Sequence, residues 1–339
     1  MLKKNISIVI PCRNEEKYIE KCIESIVNSN YPHENIQIIV CDGKSTDKTI
    51  DKLNNLSKKY NFINYIINEK QTTQYALNLG VNLSKKADFI MIIGSHSEIS
   101  NNYLNKSIEI LENNEIACVG GVVENVFENK ISEIISKAMS SSFGVGLNNF
   151  RAQNYDSFVD TVGTPIYKKD IFDKIGLFDE ELTRNQDDEF NFRVLKNGYK
   201  IFLSKDIHAK YYVRASFSKL YKQYYQYGYW KVYVNKKHKT ITTLRQLIPF
   251  LFVVFLIVFS IGSLLSKIIL YIYISILFLY LILAFYSASK KTKNIKEVFL
   301  VIYTFIILHV SYGYGYLQGI VDFFILRKKI SNKNTSLSR

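Results

Sequence analysis

ISIVIPCRNEEKYIEKCIESIV, residues 6–27, changes its periodicity once, and that change decides the fold. Ile6 to Ile10 is a short apolar run that reads as a buried strand and stops at Pro11. Ile19, Cys22, Ile23, Ile26 and Val27 then recur at helical spacing, with Asn14 placed to cap the helix and Glu15 and Glu16 in its first turn. The pattern repeats. Ile36 to Val40 reads as a second strand, followed by a helix through Ile50, Leu53 and Leu56. Phe62 to Ile67 is a third strand with a helix near Ala76 to Leu83 behind it, and Phe89 to Ile93 is a fourth. Strands and helices in alternation predict an α/β fold with a mainly parallel sheet flanked by helices.

Ligands of such sheets lie over the carboxyl ends of the strands. The residues after each run are therefore informative: Pro11-Cys-Arg-Asn-Glu15 after the first, Asp42-Gly-Lys-Ser-Thr-Asp47 after the second, Gly94-Ser-His-Ser-Glu98 after the fourth. The three clusters are expected to meet in space. Asp and Ser supply hydrogen bonds to sugars and base edges. Neither G-x-G-x-x-G after the first strand nor G-x-x-x-x-G-K-[ST] occurs, which argues against dinucleotide and P-loop chemistry.

The net charge of +14 resembles a nucleic-acid signature until it is located. Residues 1–204 hold 24 basic and 27 acidic side chains, whereas residues 205–339 hold 20 basic and 3 acidic. The basic part also contains three runs without a charged residue, at 247–265, 268–289 and 298–321, each long enough to cross a bilayer as helix. The charge is thus expected to flank membrane spans and face anionic headgroups, with no nucleic acid as partner. The run after Met1 is too short for a signal peptide, and Cys12, Cys22, Cys41 and Cys118 show no paired spacing, so the first domain is expected in the cytoplasm of a multi-pass protein of the cell membrane. The third run poses a problem of sidedness. Basic residues flank both ends of the first two spans on one side, yet five more occur from Arg327 onward, so either the positive-inside trend yields or Ser311-Tyr-Gly-Tyr-Gly-Tyr-Leu-Gln-Gly319 breaks the helix.

Five motifs in order carry a resemblance: Ser7-Ile-Val-Ile-Pro-Cys-Arg-Asn-Glu15, Val40-Cys-Asp-Gly-Lys-Ser-Thr-Asp47, Asn78-Leu-Gly80, Ile175-Gly-Leu-Phe-Asp-Glu180 and Asn185-Gln-Asp-Asp-Glu-Phe190. The set resembles the inverting glycosyltransferases of family 2, of GT-A fold, and most closely their membrane-attached exopolysaccharide branch, such as the succinoglycan glucosyltransferases. The resemblance covers roughly residues 5–235 plus the apolar tail. It implies a cytosolic GT-A domain at 1–235, a membrane region at 236–330 and a basic tail at 331–339. It further implies that Pro11, Asn14, Glu15 and Ser95 border the donor, that Asp42 binds the base or ribose with Asp47 near it, and that Asp187 is the general base. Asp47 also sits where a helix cap belongs. Glu189 and Arg193, four apart, read as a helix-surface pair.

The strand end at Gly94 departs from the family. Where the family carries Asp-x-Asp or Asp-x-His to hold Mg2+ or Mn2+ against the donor diphosphate, this chain has Gly94, Ser95 and His96, with Glu98 two residues on. Three readings stand, in this order: a cation held by His96 with Glu98 and the phosphates, neutralisation by protein cations alone, or a domain without activity. Imidazole suits Mn2+ better than Mg2+. Gln226-Tyr-Gly-Tyr-Trp230 resembles the family's Gln-x-x-Arg-Trp without its arginine, which argues against a processive synthase and leaves Gln226 and Trp230 as acceptor-side candidates or as part of an interfacial aromatic belt.

The expected function is transfer of one sugar, with inversion, from a nucleotide donor such as a UDP-sugar to a lipid-linked saccharide at a membrane. A polyprenyl-phosphate sugar synthase and a non-catalytic GT-A-fold membrane protein are the alternatives.

Overall fold

The computed structural model describes residues 4–112, 115–146, 150, 155–213 and 216–328. The basic tail expected at 331–339 lies outside them. Two compact units comprise the described residues of Met1–Glu124 with Gln153–Tyr212, and of Asn125–Ala152 with Val213–Arg339. This division differs from the expected boundary after residue 235: the helix that begins shortly after Val213 belongs to the second unit.

The first unit opens with three strand-helix repeats, β1 (Ile6–Cys12), α1 (Ile19–Val27), β2 (Ile36–Asp42), α2 (Thr49–Lys59), β3 (Ile63–Ile67) and α3 (Thr73–Leu83), followed by β4 (Phe89–Ile92), β5 (Ser97–Ile99) and α4 (Tyr103–Leu111). β6 (Ile116–Val126) leads into an excursion, α5 (Lys130–Met139) and α6 (Ser142–Val145), that belongs to the second unit. The chain returns as β7 (Ser157–Phe158), β8 (Gly163–Lys168), α7 (Lys169–Ile175), α8 (Gln186–Lys196) and β9 (Lys200–Tyr212). The strands form one sheet in the order β3-β2-β1-β4-β8-β6-β9-β5, with β7 on β9.

The sheet holds the expected run of parallel strands but is mixed, with antiparallel strands added beyond β4. β3, β2, β1 and β4 run parallel, and β8 joins β4 antiparallel with Ile90 opposite Tyr167. β1 and β2 are buried on both faces, which explains why ISIVI and IQIIV read as continuous apolar runs. Register then positions the site. Cys12 lies opposite Asp42, so the loops after β1 and β2 leave the sheet at the same level.

The second unit adds α9 (Phe217–His238), α10 (Ile248–Ser263), α11 (Lys267–Ser289) and α12 (Ile295–Ile320), the last continuing through a π-helical turn at Val321–Ile325. Three segments, Leu244–Ser263, Lys267–Ser289 and Ile295–Ile325, are long and apolar enough to cross a membrane. The stretch from Ser311 to Gly319 does not break α12. Its residues serve contact instead: a Cβ on Gly315 would overlap the Tyr225 carbonyl oxygen, and one on Gly228 of α9 would overlap that of Tyr312. Small residues that let two backbones approach are how helices associate where apolar burial supplies little drive.

Polar contacts add to this packing. The Tyr229 hydroxyl donates to Asp322 (3.1 Å), Asn235 donates to the Tyr316 hydroxyl (2.9 Å), and Lys236 donates to the Phe323 carbonyl (2.7 Å). The excursion is fastened separately, since Lys130 and Lys137 of α5 both pair with Glu297 of α12. Ile134, Ile135, Ala138 and Met139 of α5 are buried.

Candidate active site

The loops after β1 and β2 are sewn together. Asn14 N–H donates to Ser45 Oγ (2.8 Å), and Asn14 Oδ1 accepts from Thr46 N–H (2.8 Å). Glu15 N–H donates to Thr49 Oγ1 (2.9 Å), Glu16 N–H to Asp47 Oδ2 (3.1 Å), and Lys48 N–H to Glu16 Oε2 (2.9 Å). Asn14 therefore does not cap α1. It sits at φ 53°, four residues before the Tyr18 cap position, and its amide serves a loop more than thirty residues away. Asparagine tolerates that left-handed conformation better than most residues.

Asp42 is fully buried, and its carboxylate accepts from Ser45 N–H (2.9 Å) and Ser45 Oγ (2.5 Å). It shapes the turn that presents Gly43 and Lys44. Asp47 lies one residue before the Lys48 cap position of α2, and its Oδ1 accepts from Thr49 N–H (3.0 Å). Partial burial pushes the Asp47 carboxyl up, but hydrogen bonds from Thr49 and from the Glu16 backbone outweigh this and hold it below the usual carboxylate range.

The β4 end joins the same cluster. His96 Nδ1 faces Glu15 Oε1 at 3.4 Å, and Glu15 is buried. Ser95 is buried beside Cys12, whose thiol is pushed well up by burial and then by the nearby Asp42 and Glu15 carboxylates. Glu98 accepts a hydrogen bond from the Tyr212 hydroxyl, which turns it toward β9. The three predicted clusters thus meet, with Pro11 at the end of β1 between them.

Asp187 rests on a separate scaffold. It is exposed in the first turn of α8, after Asn185 at φ 61°. Below it, Asn191 accepts from the Tyr167 hydroxyl (2.8 Å) and donates to Thr161 Oγ1 (3.0 Å). Burial pushes the Tyr167 hydroxyl well up, with the charges of Cys118 and Asp187 adding to the effect.

The loop before α8 is clamped from two sides, an arrangement only half visible in the sequence. Asn78 of α3 donates to the Phe178 carbonyl (2.9 Å) and accepts from Phe178 N–H (2.9 Å). Arg193 pairs with the buried Glu189 through two nitrogens (2.8 and 2.9 Å). The same guanidinium donates to the carbonyls of Ile175 (2.5 Å) and Leu177 (2.7 Å). The pair is therefore no surface decoration. Arg193→Ala strands a buried carboxylate and two carbonyls, and is expected to cost about 3 kcal/mol, read as a lower melting temperature in detergent. Arg193→Lys, which cannot reproduce the fork, should recover only part of that loss.

Gln226 and Trp230 lie in the second unit, and both are buried. Trp230 packs against Tyr229, Tyr233 and Phe323.

The profile of glycosyl transferase family 2 matches residues 7–176, which span β1 to the start of the clamped loop. A protein of Methanococcus voltae, the dolichyl N-acetyl-alpha-D-glucosaminyl phosphate 3-beta-D-2,3-diacetamido-2,3-dideoxy-beta-D-glucuronosyltransferase, is 35% identical over 93% of this chain and 97% of its own length. The chain belongs to glycosyl transferase family 2. The transferase is also 29% identical to the succinoglycan biosynthesis protein ExoA of Rhizobium meliloti, over 33% of this chain and 34% of that one.

Among solved structures, the mannosyltransferase PcManGT from Pyrobaculum calidifontis, in complex with GDP-Man and Mn2+, superposes with a TM-score of 0.52 at 13% identity, covering 70% of this chain and 64% of that one. GalNAc-T7 with UDP, GalNAc and Mn2+ gives 0.51 at 14% identity, over 62% of this chain and 44% of that one. These two likenesses establish the fold alone. The transferase is a nucleotide-sugar-dependent enzyme of GT-A-like fold, with three helices suited to a membrane.

Proposed function

We propose that the transferase moves one sugar from a nucleoside diphosphate donor, a UDP-sugar, to a saccharide carried on a polyprenyl or dolichyl phosphate, with its catalytic unit at the cytoplasmic face of the cell membrane. The observation that carries this reading is the Methanococcus relative, which aligns through the sheet, the clamped loop and the membrane helices alike. A lipid-linked acceptor is confined to the bilayer, so a catalytic unit on the same chain as membrane helices meets it at raised effective concentration.

In this reading the carboxylate of Asp187 takes the proton of the acceptor hydroxyl as its oxygen attacks the anomeric carbon. The bond from that carbon to the donor phosphate breaks on the opposite face, which inverts the centre. Pro11, Asn14, Glu15, Asp42, Asp47 and Ser95 form the donor wall, with Asn14, Asp42 and Asp47 acting chiefly through the shape of the sewn loops. Gln226 and Trp230 act on the acceptor side by fixing α9, being buried themselves.

A divalent cation fits this site on modest terms. Among the described residues no three His, Cys, Asp or Glu side chains converge as a cage. A cation that arrives on a diphosphate needs few protein ligands, because phosphate oxygens and water complete its shell. His96 would hold it through Nε2, and Glu98, with one oxygen engaged by Tyr212, would contribute at most through its other oxygen. Such a cation supplies charge neutralisation for the departing diphosphate.

The test is turnover by detergent-purified protein across UDP- and GDP-sugars, with polyprenyl-phosphate-linked N-acetylglucosamine as acceptor, in Mn2+, Mg2+ and EDTA. Transfer from a UDP-sugar, faster in Mn2+ than in Mg2+ and at least about tenfold slower in EDTA, is expected. Transfer undiminished by EDTA would assign the diphosphate charge to protein cations. Transfer only to free polyprenyl phosphate would replace the saccharide acceptor by the phosphate.

A further inference from the structure

Of the three apolar helices, α12 is the one most covered by protein: 56% of its most apolar stretch is buried, against 6% for each of α10 and α11. What covers it decides where it lies. α5 holds its first turn, through Lys130 and Lys137 on Glu297. α9 runs beside its second half in the same direction, from the Phe217–Tyr303 ring contact through Tyr225 at Gly315 to Lys236 at the Phe323 carbonyl. Neither partner is built to cross a bilayer. α5 carries Lys130, Glu133 and Lys137, and α9 carries Lys219, Lys222, Lys231, Lys236 and Lys237 with no acidic residue among them. A helix that crossed in contact with both would draw their charges into hydrocarbon.

The other two apolar helices part from α12. α10 meets it with its first turns, where a Cβ on Gly313 would overlap the Pro249 carbonyl oxygen and Phe250 packs on Tyr316 (4.9 Å between centroids). Further on, Phe255 packs on Tyr273 and Gly262 lies by Ile269, both of α11. α11 reaches α12 at Tyr280, whose hydroxyl lies 2.9 Å from His309 Nδ1, and its buried residues, Ala284 and Ala288, belong to its last two turns. α10 and α11 thus form a hairpin rooted on the middle of α12, with a tip at Leu264 and Leu265 that is 85% and 84% exposed. The uncovered side of α12 is one apolar stripe at helical spacing, through Phe299, Tyr303, Ile306, Tyr314 and Phe324. Lys219 and Lys222 at one end of α9, and Lys236 and Lys237 at the other, are exposed beside it. An apolar stripe bordered by lysines suits a helix lying in the headgroup layer.

We infer that α12 does not cross the membrane. Its exposed stripe lies along the lipid headgroup layer of one leaflet, α10 and α11 cross as a hairpin, and Arg327 returns to the side on which α5 and α9 begin. That side holds the catalytic sheet: α5 starts at Lys130 just after β6 ends at Val126, and α9 at Phe217 just after β9 ends at Tyr212, links too short to cross a bilayer. The conflict of sidedness in the sequence then disappears. Arg327 and Lys328 join Lys236, Lys237, Lys290 and Lys291 on one side, as the positive-inside trend asks.

The experiment has two arms on the full-length protein, whose Cys12, Cys22, Cys41 and Cys118 are buried and leave little background for thiol labelling. The first applies a membrane-impermeant maleimide to intact and to permeabilised cells. Arg327→Cys should react from the same side as Lys106→Cys, an exposed position of the catalytic unit, and Leu265→Cys from the opposite side. Arg327→Cys reacting with Leu265→Cys would make α12 a third span and overturn the inference. Leu265→Cys reacting with Lys106→Cys, or not at all, would overturn it as well, since the hairpin would not cross. The second arm places bimane on Phe299→Cys and on Tyr314→Cys in vesicles of phosphatidylcholine and phosphatidylglycerol with brominated chains. Both probes should be quenched at the same shallow depth, whereas a span would separate them by about 22 Å along the bilayer normal. Ile306→Cys and Phe324→Cys form a second pair if melting temperature shows either first variant to be unfolded. Unequal depths, or no quenching at any of these sites, would overturn the headgroup placement.

Discussion

Asp187→Asn is expected to lower the transfer rate about a thousandfold while nucleotide binding persists. Asparagine keeps the size and the helix position but cannot take a proton from the acceptor hydroxyl. Loss of one anion from the first turn of α8 costs only about 0.5 kcal/mol, too little to unfold the helix or to account for the rate. Asp188→Asn is the internal control. Adjacent helical residues point about 100° apart, so only one of the two carboxylates can serve the same reacting atom. Initial rates with a labelled UDP-sugar and a lipid-linked acceptor read the comparison. Equal losses in the two variants, or none in Asp187→Asn, would remove the base from this position.

Gly315→Val is expected to prevent accumulation of folded protein. The added Cβ overlaps the Tyr225 carbonyl oxygen, a backbone atom that no side-chain rotation can move aside. α9 and α12 must separate, and the cost is about 3 kcal/mol or more, since overpacking that shifts backbone exceeds the penalty of a crowded side chain. Separation also strains the Tyr229–Asp322 and Asn235–Tyr316 hydrogen bonds in the same seam. Phe299→Leu, on an exposed position of the same helix, should leave yield and melting temperature near wild type. Size-exclusion profiles in detergent distinguish the two, and a monodisperse Gly315→Val would show that the seam is not needed for folding.

Local periodicity carried much of the fold, and distance along the chain limited the rest. The strands and helices of the first repeats are legible because burial and period agree in ISIVI, in IQIIV and in the spacing of Ile19 through Val27. Asn14 was open to misreading because a polar residue before a helix usually caps it, whereas its partners here are Ser45 and Thr46. Arg193 and Glu189 are visible as a pair four apart, but the carbonyls of Ile175 and Leu177 become visible only once the chain has turned back. The Gly- and Tyr-rich stretch from 311 to 319 leaves a helix break open as one of two readings, and the reason for keeping the helix, close approach to α9, is absent from any local pattern. The excursion of α5 and α6 left no sign in the sequence, because its amphipathic face resembles any other.

That excursion has a consequence for the timing of biosynthesis. The chain passes between the units after residues 124, 152 and 212. Lys130 and Lys137 of α5 meet Glu297 only after a further 167 and 160 residues have been made. At about 5–20 residues per second, a ribosome takes roughly ten to thirty seconds to supply that partner. Throughout that interval Lys130 and Lys137 of α5 lack their α12 partner, while the last strand of the catalytic sheet is complete at Tyr212, well before Glu297 is made. The nascent enzyme is thus completed from its distal end, and α5 waits on the last helix to be translated.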